Sequence, residues 1–223
     1  MAQLDIQPTG ELFQYILADS RVAAHLAAMR QLDVNLREHA LRTGWIAIEV
    51  ATHLRLPQQH VLNTGYAAIL HDDGKRKMED AATILHSASP LTRDQQAQIY
   101  EHPRLTYLIT AGFPEEIRRA AAGSHDWQEH TYRRQHAERR RLVRGPDRRA
   151  DEHEIALLAQ IVGVADQSDA LTDPSRRYRR PVPLNKLEAE LNKQYTGSPH
   201  IRNAALEVMH RRQRIEDHSS QYR

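Results

Sequence analysis

Apolar residues recur at three- and four-residue spacing along most of this chain, and no stretch shows the strict alternation of a half-buried strand. That periodicity restricts the chain to packed helices. Ala, Leu and Ile are frequent while aromatic residues make up 5% of the sequence, in keeping with the same reading. The spacing predicts helices over about residues 10–30, 33–54, 58–71, 79–87, 92–111, 114–124, 152–172, 183–194 and 199–216. Pro57, Gly74 and the Ser89-Pro90 pair fall at the predicted ends, as turn chemistry requires. The expected fold class is all-α, a helical bundle.

At 223 residues the chain is long enough for one well-cored domain with a short appendage. Residues 1–30 read as a short helical lead-in, and 31–223 as the domain proper. The formal charge is only +2, yet arginines cluster between Arg133 and Arg149. This falls in a long polar interruption, 128–151, read as a loop beside whatever the helices build. Such a run can contact phosphate, although a solvated face is its more common meaning. No internal repeat is evident.

With no cysteine in the sequence, thiolate metal sites, iron–sulfur clusters, disulfides and cysteine nucleophiles are excluded, so any metal must be held by His and carboxylate. The first twenty residues lack a basic segment followed by an apolar one, and nothing approaches 18 uninterrupted apolar residues. The expectation is a cytoplasmic protein without a membrane partner.

Fourteen histidines make any single His-Asp pair uninformative, so order and context must decide. His71-Asp72 ends an apolar helix, TGYAAILHDDGKRKM, and Lys75 follows closely, gathering an imidazole, a carboxylate and an ammonium at one helix end. His39 opens HALRTGWIAIEVATHL, an amphipathic helix able to pack beside it. Asp166 and Asp169 lie within IALLAQIVGVADQSDALT, on a face shared with Leu158 and Val162. Carboxylates on an apolar face are costly to bury unless a cation or strong donors meet them. His39, His71, Asp72 and Asp166 could thus supply two imidazoles and two carboxylates to one ion, a set suited to iron, manganese, zinc or nickel.

These segments resemble the HD-GYP domains of the HD superfamily. LHDDGK is similar to their LHDIGK, HALRTG to HSxRVA, ILHSASPLTRDQQAQIYEHP to ILxKPGxLTxEExxxMxxHP, and VADQSDALTDPSRRYRR to VADxxDALTSDRPYRK. The four segments occur in the family's order with nearly its spacing, from about residue 36 to 194. The resemblance implies an HD-domain helical bundle and a phosphodiesterase that opens a cyclic dinucleotide, cyclic di-GMP above all, to a linear dinucleotide, with a second cut to mononucleotides as a further step. It implies two divalent transition-metal ions, iron or manganese before zinc or nickel. His39, His71, Asp72 and Asp166 would hold the first ion, Asp72 would bridge to the second, and His102 and His125 would complete the second. Asp72 and Lys75 take the catalytic roles. Lys75, Asp169, Arg176 and Arg179 fall at substrate-binding positions. The implied partners are the cyclic dinucleotide and a signalling protein, with no nucleic-acid polymer.

The chain departs from that pattern where the family reads HHExxDGxGYP. Here the sequence is SHDWQEHTYRR: Ser124 stands for one histidine, Asp126 for Glu, and the Gly-Tyr-Pro signature is missing. The second ion is therefore short of one ligand unless Asp126, His130 or water supplies it. Asn35, four residues before His39, stands where some members supply a Glu to a third ion, which argues against a trinuclear centre. Alternatives stay open residue by residue: Lys75 as a solvated lysine at a helix C-terminus, Arg176 and Arg179 as solvated cations, His102 as a surface residue before a turn-forming proline. Trp45 reads as core and Trp127 as a pocket wall. Two other functions fit the same residues, an HD phosphohydrolase acting on another nucleotide or phosphoester, and a non-catalytic cyclic-dinucleotide receptor.

Overall fold

A computed structural model describes residues 9–87, 89–129, 149–175 and 180–220. The described residues form α1 (Thr9–Ala18), α2 (Ser20–Leu32), α3 (Val34–His53), α4 (Gln58–Leu70), α5 (Ala81–Leu85), α6 (Arg93–Ile109), α7 (Glu115–Gly123), α8 (Arg149–Thr172), α9 (Leu184–Gln194) and α10 (Pro199–Ser220). Two 3-10 turns, Asp73–Lys77 and Ser124–Trp127, follow α4 and α7. Among the described residues there is no strand, only an isolated antiparallel bridge between Gln128 and Tyr195. The all-α bundle expected from the periodicity is the fold observed.

Local chemistry accounts for the helix ends. The Asp33 carboxylate accepts from the Asn35 and Leu36 amides and starts α3, while Thr92 and Gln95 form a reciprocal capping box at the head of α6. One predicted helix, 10–30, is two: Asp19 accepts from the Arg21 amide, which begins α2 afresh just after α1 has ended. The apolar spacing runs through that break, with Ile16 and Val22 both fully buried, so periodicity alone does not mark it. The helix expected over 79–87 shrinks to Ala81–Leu85, and α8 starts at Arg149, inside the stretch read as loop. The remainder of that loop, 130–148, lies outside the described residues, as do Arg176, Arg179 and His130.

The main core is built around α3, flanked by α4 and α8, with Ile46, Ile48, Ile69, Leu70, Leu158 and Ile161 fully buried. Truncating one of these to Ala costs about 2–5 kcal/mol by lost burial plus the cavity left behind. Leu12, Phe13, Ile16, Val22, Leu26 and Met29 belong to the same cluster, so α1 and α2 share the core of the helices that follow. Trp45 and Trp127 are both partly buried against this cluster. A small separate cluster, Met78, Ala81 and Ile84, seats α5 on the other side of the first 3-10 turn. No helix of the described residues is long and apolar enough to cross a membrane.

Two glycines bring backbone close to backbone where the polar cluster forms. A Cβ at Gly74 would lie 2.1 Å from the His102 carbonyl oxygen and 2.5 Å from the Thr106 amide nitrogen. Only glycine lets the 3-10 turn after Asp72 press against α6 at this point. A Cβ at Gly163 would lie 2.5 Å from the Ser124 carbonyl oxygen, so the same economy seats the second 3-10 turn on α8.

Candidate metal centre

Four helices and one 3-10 turn deliver six His and Asp side chains to one buried point. His39 comes from α3, His71 and Asp72 from the end of α4, His102 from α6, His125 from the second 3-10 turn and Asp166 from α8. All six are buried. Each position has a local cause. α4 ends at Leu70, so the Ala68 carbonyl has no helical partner and accepts the His71 Nδ1–H at 2.8 Å. Inside α6, Pro103 has no N–H to offer the carbonyl four residues back. That carbonyl, of Ile99, accepts from His102 Nδ1 at 2.6 Å. Thr106 ties the turn together, its hydroxyl donating to the His71 carbonyl and accepting from the Gly74 amide, both at 2.9 Å.

With Nδ1 engaged on a carbonyl that can only accept, His71 and His102 present bare Nε2 atoms. His39 is held on both sides, its Nδ1 2.7 Å from Asp169 Oδ2 and its Nε2 3.1 Å from Asp166 Oδ1. Arg42 in turn holds Asp169 through Nε at 2.6 Å and Nη2 at 3.1 Å, and reaches Asp173 at 2.6 Å. A carboxylate behind a histidine fixes the ring and raises its basicity toward whatever Nε2 meets. Arg42 and Asp173 carry no flag in the sequence beyond helical spacing: Arg42 is one turn after His39, and Asp173 one turn after Asp169.

Asp72 lies between the two histidine pairs. Its Oδ2 is 3.6 Å from both His39 Nε2 and His71 Nε2, and its Oδ1 is 3.2 Å from His102 Nε2 and 3.7 Å from His125 Nε2. Asp166 Oδ1 is 3.1 Å from His39 Nε2 and 3.6 Å from His71 Nε2. Neighbouring donors on an ion with bonds near 2.1 Å stand about 3.0–3.5 Å apart, and these spacings fall at or just beyond that range. His39, His71 and Asp166 form one group able to hold a metal, and His71, Asp72 and His125 another. The buried His39 Nε2, His71 Nε2 and Asp72 Oδ1 have no hydrogen-bond partner of acceptable geometry despite these neighbours. Orphaned polar atoms converging on one point are what a cation repays. The donor set is imidazole and carboxylate throughout, which fits a divalent transition metal.

The electrostatics follow. Burial raises the Asp72 pKa, but Lys75 and His71 outweigh it and hold the carboxyl well below its usual range. Asp166 is likewise held down against burial, by His39 and His71. Burial alone lowers His39, yet the Asp166 and Asp169 carboxylates carry it up to about 9. His102, buried and beside His125, is pushed down to about 3 although Asp72 opposes the shift.

Lys75 donates to Asp72 Oδ2 in a short contact, at the floor of a cavity of about 150 Å³ that is also lined by His39, Asn35, His86 and Asp173. Asp169 stands behind His39, paired to Arg42. Ser124 donates its hydroxyl to the Ala121 carbonyl of the preceding helix, α7, at 2.9 Å. Trp127 is not among the residues lining this cavity. Sequence reasoning passed over Gln128, whose amide nitrogen lies 2.9 Å from Asp166 Oδ2 and 3.2 Å from His125 Nδ1.

An HD domain family model matches residues 21–197. A cyclic di-GMP phosphodiesterase of Thermotoga maritima (strain ATCC 43589 / DSM 3109 / JCM 10099 / NBRC 100826 / MSB8) is 28% identical over 202 residues, covering 84% of this chain and 50% of the relative. The chain thus spans about half the length of that curated relative. The ordered His and Asp residues, the bundle that gathers them and the extent of the family match make this chain a member of the HD domain family, of divergent HD-GYP-like type.

Proposed function

We propose that this chain is a metal-dependent phosphodiesterase that hydrolyses a cyclic dinucleotide, cyclic di-GMP in first place. The observation that carries the reading is the position of Asp72, one carboxylate whose two oxygens face two different histidine pairs, with Lys75 alongside. The Thermotoga relative's phosphodiesterase activity supports the choice of substrate. His39, His71, Asp72 and Asp166 are the proposed holders of one divalent ion, and Asp72, His102 and His125 of the other. Iron or manganese is the favoured identity. Ions so held supply Lewis acidity to a phosphoryl oxygen and lower the pKa of water near it.

The chain's own residues supply the rest. Lys75 neutralises a phosphate oxygen at the cavity floor, and its contact with Asp72 keeps the ammonium aimed there in readiness. Arg176 and Arg179, which follow α8, are proposed to hold the second phosphate in bidentate fashion. Asp169, locked by Arg42, keeps the His39 ring in register. The bound substrate must be in reach of Asp72 and Lys75 together, because a linear in-line displacement needs the scissile phosphate fixed on both sides.

The test is elemental analysis of full-length protein purified without added metal, followed by turnover on cyclic di-GMP, its linear dinucleotide, and a panel of nucleoside monophosphates and diphosphates. Bound transition metal with preferential cleavage of cyclic di-GMP is expected. Preference for a simple nucleotide would instead assign a different HD phosphohydrolase. Bound metal with tight cyclic di-GMP binding but no turnover would assign a receptor.

A further inference from the structure

We propose that His25 is a positioning residue: from α2 it anchors Asp73, and through that anchor it sets the turn that carries Asp72 and Lys75 into the centre. The inference rests on the reading of Asp72 as a metal ligand given above.

Successive residues of this turn face different elements. Asp72 faces the histidine pairs, whereas Asp73 faces α2. Asp73 is fully buried and both of its oxygens are taken: Oδ2 lies 2.5 Å from His25 Nδ1, and Oδ1 accepts from Arg76 Nε at 2.7 Å. A buried carboxylate is costly without such partners, so the place where it finds them is strongly preferred. The LHDIGK pattern has an apolar side chain at this position. Here a carboxylate stands instead, and it is fixed by the direction of its hydrogen bonds as well as by burial.

The two partners of Asp73 do different things. Arg76 belongs to the same 3-10 turn, so it neutralises the carboxylate without tying it to another element. His25 comes from 48 residues earlier and does tie it. The His25 ring is itself seated, packing on Phe113 with centroids 5.7 Å apart. Arg21, one helical turn before it, lies over the same Phe113 ring at 4.6 Å and donates to the Gly112 carbonyl at 2.7 Å. Val22, Leu26 and Met29 bury the other side of α2 in the main core. The helix that holds Asp73 is therefore firmly placed.

On the far side of Asp73 the Gly74 amide donates to the Thr106 hydroxyl of α6. The backbone between Asp72 and Lys75 thus has two external anchors, α2 at Asp73 and α6 at Gly74. Without the first, the turn can pivot about the second, and both the Asp72 carboxylate and the Lys75 ammonium lose their aim. Small misplacements of this kind are expensive for a reacting site. α2 is thereby part of the working unit, although the order of residues alone reads 1–30 as a lead-in.

Substitutions in the full chain separate this role from packing. His25→Phe keeps a ring against Phe113 and removes the donor, His25→Asn keeps a donor near the place of Nδ1, and Asp73→Ile removes the acceptor. Manganese(II) is titrated into chelator-stripped protein and counted by electron paramagnetic resonance, well below the melting temperature that circular dichroism gives for each variant. His25→Phe should weaken manganese binding by about tenfold or more, the scale on which partners behind a ligand act, and should lower kcat for cyclic di-GMP at saturating manganese. His25→Asn should recover most of both losses. His25→Phe combined with Asp73→Ile should cost clearly less than the product of the two single changes, since each alone strands the other's partner. His25→Leu serves if His25→Phe does not fold. A lowered melting temperature with wild-type manganese affinity and kcat would make His25 a packing residue and overturn the inference, as would strictly multiplicative effects in the double variant. Wild type that binds manganese without cleaving cyclic di-GMP would overturn the phosphodiesterase reading alone, and manganese affinity would still decide for His25. Wild type that binds no manganese would overturn the centre, and this inference with it.

Discussion

The two histidine pairs facing Asp72 differ in what their Nε2 atoms touch. In the pair on α3 and α4, His39 and His71, each Nε2 is buried without a hydrogen-bond partner and each Nδ1 is held by an acceptor. In the pair on α6 and the second 3-10 turn, the two Nε2 atoms meet each other at 2.9 Å. The first pair is built into the core helices and faces Asp166, whose Oδ1 lies 3.1 Å from His39 Nε2 and 3.6 Å from His71 Nε2. The second can close on itself through Gln128. A cluster that looks symmetric about Asp72 in composition is thus asymmetric in hydrogen bonding.

The largest effect should come from removing what the two halves share. Asp72→Ala deprives both of a ligand and leaves Lys75 without its carboxylate partner. Bound metal in purified protein is expected to fall by well over tenfold, more than for any other single change in the centre, since losing even a partner behind a ligand costs about 10–100-fold. Elemental analysis decides this, and wild-type metal content in the variant would mean that Asp72 does not join the halves.

Next in size is a change confined to one half. Asp169→Ala removes the acceptor behind His39 and frees Arg42, so the first ion should bind about 10–100-fold more weakly while the second step moves little. Competition titration with a chromophoric chelator reads both steps. If instead Asp169 touches substrate, affinity for metal would hold and the KM for cyclic di-GMP would rise. Lys75→Met should leave both metal steps in place and lower turnover by at least about tenfold, as loss of one aimed cation or donor does at a developing phosphoryl charge. Loss of metal in that variant would show Lys75 to be structural.

Much of this was readable from the residue order, and the unreadable parts have physical reasons. The bundle was legible because its core positions repeat with the helix, as in α3, where Ala40, Ala47 and Ala51 line the buried side. The six candidate ligands could be singled out because imidazole and carboxylate on apolar helices are costly and so conspicuous. The break at Asp19 was not, because the apolar spacing runs straight through it. The Arg42–Asp169 and Arg42–Asp173 pairs join residues 127 and 131 apart in the chain, a separation that no local pattern reports. Gln128 was invisible for the opposite reason: a neutral amide in a polar stretch is cheap anywhere, and its meaning comes only from facing a carboxylate and an imidazole at once.

The subtlest contrast between the halves is in protons. In metal-free protein His39 titrates near 9, raised by Asp166 and Asp169 over the opposing effect of burial, whereas His102 titrates near 3, lowered by burial and by His125. An unfolded histidine titrates at about 6.5. The stabilisation His39 gains from its proton is therefore complete below about pH 6.5 and is lost as pH rises through 9. His102 acts in the opposite sense: neutral in the fold, it is at no disadvantage above about pH 6.5, but stability falls between there and pH 3 as the unfolded chain takes up the proton that the fold refuses. Urea melts of stripped protein should then fall away on both sides of about pH 6.5, with His39→Gln flattening the alkaline limb and His102→Gln the acid one. Metal adds the sharper reading. The first ion must displace the His39 proton, so its apparent affinity should drop by up to about tenfold for each pH unit below 9 and its binding should release close to one proton at neutral pH. The second ion meets at His102 a ring already neutral, with no proton to give up, so it should release fewer. Calorimetry in buffers of differing ionisation enthalpy counts these protons, and equal release at both steps would mean that the two halves are not the different environments their hydrogen bonds describe.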